Sequence, residues 1–245
     1  MRLRSALLAG ALLALSAVAA SAAAPLLPGL GPDDRRAPVD GTAAPWRSLA
    51  KVQTGIGGRC TGALIGPRRV LTAAHCLFNP RTQRFLPASS LHVLFGYERG
   101  TFIEHTLVTG VIHADSYDPQ KPREGFAADW AILELADDAP PQAPPLVVAD
   151  TVPAPGTAVV LGGYSQDKAQ IITADTACVV LGTDRTSKGP VLIHDCNGTR
   201  GTSGSPLLEL LDGQWRVVGI AVAGSTDRLT LNFAVPATAF AAAVR

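Results

Sequence analysis

The 245-residue sequence has little net charge and few aromatic residues. Its 21 basic and 20 acidic residues leave a net charge of +1, and aromatic residues make up 5% of the chain. No basic stripe is present, so the electrostatic footprint of a nucleic-acid-binding protein is absent and we expect no nucleic-acid partner. Beyond the N-terminus no run is long and apolar enough to span a membrane.

The one long apolar run lies at the N-terminus. Arg2 and Arg4 precede an almost wholly apolar stretch from Ser5 to Ala20, and the small residues Ala20-Ser21-Ala22 follow it. This layout is typical of a secretory signal peptide over residues 1–22, with an uncleaved membrane anchor as the alternative. We therefore expect a secreted or periplasmic protein with no membrane association after signal cleavage.

Proline, glycine and charge dominate residues 23–45, which favours an extended leader or pro-segment before the folded part. Within it, Arg35-Arg36 is either a processing site or a pair of solvated charges. The mature chain is long enough to bury a large core, as one large domain or two small ones.

Cysteine is scarce, and its spacing does not match a zinc site. The four cysteines are Cys60, Cys76, Cys178 and Cys196, and no C-x-x-C motif or zinc-like Cys/His spacing occurs. An even number of cysteines in an exported protein favours disulfides. We expect no metal and no cofactor.

Short β-like runs between Gly, Pro and Asp turns fill the chain from Trp46 onward. Six runs precede the proline-rich segment 136–145 and six follow it, which predicts an all-β protein with domains at 46–145 and 146–245. The last stretch, PATAFAAAVR, starts with proline and continues with good helix formers, so it predicts a short C-terminal helix.

The stretch GTSGSP, residues 201–206, is either a glycine-rich turn or the setting of a nucleophilic serine. A nucleophilic serine needs a histidine base and an acid that orients it. His75 lies in VLTAAHC, where an apolar strand ends. Asp129 lies in AADWAILEL, directly before an apolar strand, where a buried carboxylate would need a partner. Four other histidines lie on or beside strands or turns: His92, His105, His113 and His194.

The order His75, Asp129, Ser203 excludes two alternatives. An α/β-hydrolase has its histidine after the serine, and no histidine follows Ser203. The G-x-S-x-G elbow also fails, since position 205 is serine. A subtilisin-like order would require an acid before His75, where aspartates occur only in the polar leader.

Together, VLTAAHC, DWAIL and GTSGSP resemble the chymotrypsin-like (trypsin-like) serine peptidases. The resemblance implies two six-stranded antiparallel β-barrels with a cleft between them. It implies a catalytic triad of His75, Asp129 and Ser203, an oxyanion hole from the backbone N–H groups of Gly201 and Ser203, and a Cys60–Cys76 disulfide. We also expect Cys178 and Cys196 to pair, because both would otherwise be exported free thiols.

The sequence departs from the digestive members of the family. Thr202 stands where they have an aspartate before the nucleophile, and SGSP after it resembles the bacterial glutamyl endopeptidase-like branch. That branch has a histidine in its pocket at the position of Ala221. The residues expected at the specificity pocket, Asn197, Gly198, Ala221 and Gly224, predict a neutral pocket for an uncharged side chain.

The resemblance implies a monomeric serine endopeptidase that acts on protein or peptide substrates through an acyl-enzyme on Ser203. The alternative is a catalytically idle binding protein on the same fold, since fold does not fix function. An esterase shares the chemistry of the triad and is the third hypothesis.

Overall fold

The computed structural model describes residues 27–225 and 231–244. The predicted signal peptide, residues 1–22, lies outside these ranges, as do the first four residues of the expected leader. Among the described residues, no helix has the length and apolar character needed to cross a membrane.

Six antiparallel strands close into a first barrel. They are β1 (Leu49–Thr54), β2 (Arg59–Gly66), β3 (Arg69–Thr72), β4 (Leu91–Phe95), β5 (Glu104–His113) and β6 (Ala131–Leu135). The strands follow each other around the barrel in the order β1-β2-β3-β6-β5-β4, and β4 pairs back to β1.

A second six-stranded antiparallel barrel follows the proline-rich segment. Its strands are β7 (Ala158–Gly163), β8 (Thr173–Thr186), β9 (Gly189–His194), β10 (Pro206–Leu211), β11 (Gln214–Gly224) and β12 (Asn232–Pro236). Their order is β8-β7-β10-β11-β12-β9, and β9 closes the barrel on β8. The prediction of an all-β protein with two six-stranded barrels is confirmed.

The remaining elements are short. The helices are α1 (Pro122–Gly125) and α2 (Ala241–Val244), which confirms the predicted C-terminal helix. The two-residue strands are Ala37–Pro38, Phe78–Asn79, Arg84–Phe85 and Val147–Val148. The 3-10 turns are Trp46–Ser48, Ala74–Leu77, Ala88–Ser90, Phe126–Ala128, Gln166–Lys168 and Ala237–Ala239.

The side chains of β1 alternate between two hydrophobic cores. Ala50 and Val52 pack inside the first barrel, whereas Leu49 packs in a cluster shared by both barrels. Successive side chains of a strand point to opposite faces. Because the outer face of β1 lies against the second barrel, the strand is buried on both faces, and the barrels dock through apolar contact.

Lys51 is on that outer face and is therefore a buried cation, only 2% exposed. Its Nζ donates a 3.0 Å hydrogen bond to the carbonyl oxygen of Ala169 and lies 3.5 Å from the centre of the Tyr97 ring. Burial, with a smaller contribution from the charge of Arg59, lowers the pKa of Lys51 to about 8. The amine is thus held between the barrels by a carbonyl and an aromatic face.

The described part of the expected leader, residues 27–45, packs on the second barrel. Its strand Ala37–Pro38 pairs with β8. Arg35 forms an ion pair with Asp175 in β8. Arg36 is only 6% exposed and pairs with Asp34 and Asp167. Arg36 is therefore not a solvated charge, and a protease would reach the Arg35–Arg36 bond only if this segment left the barrel.

Thr61 in β2 joins the first barrel to the loop that contains Ser203. Its N–H donates to the carbonyl oxygen of Ser203 at 3.0 Å, and its hydroxyl donates to that of Gly201 at 2.9 Å. The same hydroxyl accepts the N–H of Tyr164 at 3.0 Å. Thr61 is fully buried, so it holds two segments of the second barrel where water cannot replace its hydrogen bonds.

We expect Lys51→Met to flatten the alkaline dependence of stability. The unfolded lysine has the ordinary pKa near 10.5 and the folded one about 8, so between these values the unfolded state binds more protons. Wild-type stability should gain about 1 kcal/mol per pH unit from this group as pH rises from 8 to 10. Urea unfolding over this range measures it, and equal slopes in both proteins would contradict the assignment.

We expect Thr61→Val to lower the free energy of unfolding by about 2 kcal/mol, because the Gly201 carbonyl and the Tyr164 N–H lose a buried partner. Thr173→Val is the matched control, since the buried Thr173 hydroxyl has no protein partner among the described residues. Urea unfolding of the two variants gives the comparison. Similar losses in both would show that the Thr61 hydroxyl bonds contribute little.

Candidate active site

His75 stands at the edge of the cleft between the barrels. Strand β3 ends at Thr72, and the 3-10 turn Ala74–Leu77 carries the imidazole outward. Cys76 is bonded to Cys60, so this turn is tied to β2 by the expected disulfide. The His75 side chain is 34% exposed, which leaves one side of the ring open to the cleft.

Asp129 holds the backbone and the ring of His75 at once. It lies between the 3-10 turn Phe126–Ala128 and β6, and it is only 3% exposed. One carboxylate oxygen accepts the His75 N–H at 2.8 Å, and the other lies 2.7 Å from Nδ1. A carboxylate only accepts, so Nδ1 carries the proton and Nε2 has a free lone pair.

Burial of the His75 ring opposes its protonation. The charge of Asp129 and its hydrogen bond outweigh this, so the net effect is to raise the pKa of His75 above its ordinary value. A base with such a pKa takes a proton readily once the pH is high enough for it to be neutral.

Ser203 lines the same cleft as His75. Its loop is fixed by backbone hydrogen bonds from Thr202 to Thr199 and from Gly204 to Ala221. Within the described ranges, no hydrogen bond joins the Ser203 hydroxyl to the imidazole. Such bonds are often long in ligand-free enzymes and tighten when substrate binds.

Gly201 adopts a backbone conformation that glycine favours. Its φ is +91°, and a Cβ there would lie 2.3 Å from the carbonyl oxygen of Tyr164. The carbonyl of Arg200 accepts the N–H of Gln166 at 2.6 Å. Because C=O and N–H of a trans peptide point in opposite directions, the Gly201 N–H faces away from Gln166.

In the part of the chain that the structure describes, neither the Gly201 N–H nor the Ser203 N–H donates to a protein acceptor. Two unpaired N–H groups beside a serine can stabilise a negatively charged oxygen. The hydroxyl of Thr202, between them, shares a 2.9 Å hydrogen bond with the hydroxyl of Ser165. Position 202 is thus neutral and already paired, and it offers no charge to an N-terminal ammonium group.

The cleft has a volume of about 600 Å³ and is lined by both barrels. Three of the four expected pocket residues, Gly198, Ala221 and Gly224, line it. Asn197 is not among the lining residues. Its Oδ1 accepts the N–H of Gly31, and its Nδ2 donates to Asp175, so this side chain fastens the N-terminal segment behind the pocket.

Several residues that line the cleft were not predicted from the sequence, namely Pro28, His194, Thr199 and Asn232. The position of His194 at a strand end near the serine loop was the available sequence signal. Asn232 donates to the carbonyls of Gly29 and Cys196, which requires the tertiary fold. No local sequence pattern predicts these contacts.

Two groups of potential metal-ligating side chains occur among the described residues: Cys60 with His75 and Cys76, and Cys178 with Asp195 and Cys196. In both, the two sulfurs form a disulfide. A disulfide provides no thiolate, so neither group has the ligands of a zinc site. The expected Cys178–Cys196 bond is present and joins β8 to the segment before the serine loop.

A model of the trypsin-like peptidase domain matches residues 60–220. The chain is 30% identical over 182 residues to a glutamyl endopeptidase of Bacillus licheniformis, an alignment that covers 74% of this chain and 54% of that protein. It is 28% identical over 194 residues to the cercarial protease of Schistosoma mansoni, which covers 68% of this chain and 71% of that protein.

A solved structure of a Glu endopeptidase in complex with MPD has the same fold. Its TM-score is 0.74 at 23% identity, over 87% of this chain and 96% of that one. The chain thus spans about half the length of the Bacillus relative and nearly all of the solved structure. Since the domain model covers more than half of the chain, with strands of both barrels, the chain belongs to the trypsin-like peptidase family and is similar to glutamyl endopeptidases.

Proposed function

We propose that this protein is a serine endopeptidase that cleaves protein or peptide substrates through an acyl-enzyme on Ser203. The observation that carries the proposal is the His75–Asp129 pair, with its 2.7 Å contact at Nδ1 and its Nε2 free in the cleft that Ser203 lines. Membership of a peptidase family supports it.

In the first half of the reaction the Ser203 hydroxyl attacks the carbonyl carbon of the scissile peptide. His75 Nε2 takes the hydroxyl proton as the C–O bond forms, and Asp129 stabilises the resulting imidazolium. When the tetrahedral intermediate collapses, the C–N bond breaks and His75 gives the proton to the leaving amine. The acyl group is then an ester of Ser203.

In the second half, water replaces the amine. His75 takes a proton from the water, whose oxygen attacks the ester carbonyl, and returns it to the Ser203 oxygen as the C–O bond breaks. The carboxylic acid product leaves, and the serine and the neutral imidazole are restored. No redox step or cofactor enters this balance.

The N–H groups of Gly201 and Ser203 would bind the negative oxygen of both tetrahedral intermediates. Their freedom from protein acceptors supports this role, as does the fixed peptide of Arg200. Loss of one such donor costs roughly 3 kcal/mol of transition-state stabilisation in comparable sites.

We further propose that the protein is exported and acts as a monomer outside the cytoplasm. The signal-like N-terminus and the two disulfides support export. Labelling of Ser203 by an active-site probe distinguishes this function from the alternative, a binding protein with an idle triad.

We expect purified protein to react with a fluorophosphonate probe, and Ser203→Ala to abolish this reaction. The probe phosphonylates a serine whose proton is taken by a nearby base. Ser205→Ala is the matched control in the same loop, because the Ser205 hydroxyl is fully buried. Gel fluorescence measures labelling. No labelling of the wild-type protein would favour the idle binding protein.

We expect Asp129→Asn to lower kcat roughly 10⁴-fold, the size of the effect of this change in other Ser-His-Asp triads, because the proton is no longer held on Nδ1. The acid limb of the pH profile of wild-type kcat/KM should lie above pH 6.5, because His75 must be neutral to act and its pKa is raised. That limb should move to lower pH in the variant.

Asp138→Asn is the control for this pH measurement, since it removes a carboxylate that is 78% exposed. It should leave both kcat and the acid limb unchanged. An acid limb that stays in place in Asp129→Asn would mean that another group controls the profile.

A further inference from the structure

His194, at the end of β9, is fully buried and lines the cleft. Its Nδ1 accepts the N–H of Cys196 at 3.3 Å. A nitrogen that accepts a hydrogen bond keeps its lone pair, so in the neutral ring the proton is on Nε2. Burial lowers the pKa of His194 to about 4 despite the opposing charge of Asp175, and the neutral form is the one present at pH 7.

The Nε2–H of His194 has no partner in the described protein, although it is buried. An unpaired buried donor costs free energy and is uncommon in folded proteins. His194 lines the cleft, whereas Cys196, whose N–H bonds to Nδ1, does not. The Nε2–H is therefore a candidate donor to a group that enters the cleft.

Thr199 provides a second buried polar atom without a partner. It lies four residues before Ser203, is 5% exposed, and lines the same cleft. Its hydroxyl, like the Nε2 of His194, has no hydrogen-bond partner in the described ranges. Both atoms belong to residues that line one cleft, and both can donate a hydrogen bond, which suits a ligand that brings an acceptor oxygen.

The charges around the cleft exclude a basic substrate side chain. Arg59 and Arg200 are exposed residues of its lining, and no Asp or Glu is found among the described lining residues. A Lys or Arg side chain would therefore find two donors and no acceptor of opposite charge. A side chain that brings its own acceptor oxygen suits this site.

We propose that His194 Nε2–H and Thr199 Oγ form the polar end of the specificity pocket and bind the terminal oxygen of a Gln side chain, in preference to Glu, on the acyl side of the scissile bond. This inference rests on the proposed function and names its substrate class. His194 and Thr199 supply hydrogen-bond donors to the pocket. This chain has Ala221 at the position where the glutamyl endopeptidase-like branch has a histidine.

Glutamine should be the better of the two substrates at neutral pH. The buried donors are uncharged, and a carboxylate taken out of water without a buried cation is costly to bind. The amide oxygen of glutamine accepts the same two hydrogen bonds without that cost.

The test compares kcat/KM for succinyl-Ala-Ala-Pro-X-p-nitroanilides, with X as Gln, Glu, Met or Leu. Methionine has nearly the length of glutamine but no terminal oxygen, so the Gln/Met ratio reports the hydrogen bonds. We expect this ratio to fall roughly tenfold in Thr199→Val and in His194→Phe, with little change for Met. Thr199→Ser, which keeps the hydroxyl, should keep most of the ratio.

Thr173→Val is the matched control for loss of a buried unpaired hydroxyl, because Thr173 does not line the cleft. It should leave the Gln/Met ratio unchanged. Thermal unfolding identifies any variant that fails to fold, and Thr199→Val against Thr199→Ser then decides alone. A ratio that is the same in wild type, Thr199→Val and His194→Phe would overturn the proposal.

The glutamate substrate identifies the kind of oxygen. Gln above Glu, with a dependence on Thr199, supports the neutral pocket proposed here. Glu above Gln would overturn it, because it would show that the pocket binds a carboxylate.

Peptide binding separates failure of this inference from failure of the proposed function. In Ser203→Ala, NMR titration with acetyl-Ala-Ala-Pro-Gln-amide and its Met counterpart measures the subsite without turnover. Tighter binding of the Gln peptide, lost on adding Thr199→Val, supports the subsite even if the fluorophosphonate probe does not label the wild-type protein. Equal binding of the two peptides would overturn it.

Discussion

Thr61 connects the parts of the site that belong to different barrels. Its N–H and hydroxyl hold the carbonyls of Ser203 and Gly201, and its own carbonyl accepts the hydroxyl of Thr72. The preceding residue, Cys60, is bonded to Cys76, next to His75. One buried threonine thus fixes the serine loop of the second barrel relative to the histidine turn of the first. Catalytic geometry needs such fixation, because errors of about 1 Å cost activity.

Buried ionisable groups differ in how completely their hydrogen bonds are satisfied. Asp129 is satisfied by two donors of His75, and Lys51 by a carbonyl and a ring. His194 instead stays neutral and keeps an unpaired donor. Full satisfaction stabilises the fold, whereas an unsatisfied group at a cleft is available for a ligand. The unpaired donor of His194 lowers the stability of the fold and is the donor that the proposed substrate would use.

The N-terminal segment acts as part of the pocket wall. Gly29 accepts hydrogen bonds from Gly198 and Asn232, and Asn197 holds Gly31 from behind. A side chain on Gly224 would meet the Gly29 backbone at 2.6 Å. The wall of the cleft therefore depends on a segment that is far away in sequence.

Much of the architecture could be predicted from the sequence because it depends on short apolar runs that are separated by turn residues. The short apolar runs and the proline-rich break predict strands that the barrels then contain. Boundaries were less exact: the run over residues 169–182 is β8, which starts at Thr173 and continues to Thr186. Its last residues are polar and pair with β9, and a hydrophobic pattern cannot report pairing that leaves side chains in solvent.

The features of the site also fall into those that could be predicted from the sequence and those that could not. The sequence by itself determined the order of His75, Asp129 and Ser203 and the four cysteines, because these residues sit in motifs whose chemistry is local. Only the tertiary structure decided that Asn197 does not line the cleft, that the leader contributes to its wall, and that His194 and Thr199 line it. Each of these depends on contacts between distant segments, such as Asn197 with Gly31 across 166 positions. No pattern of neighbouring residues encodes such a contact, since it forms only when the N-terminal segment packs on the second barrel.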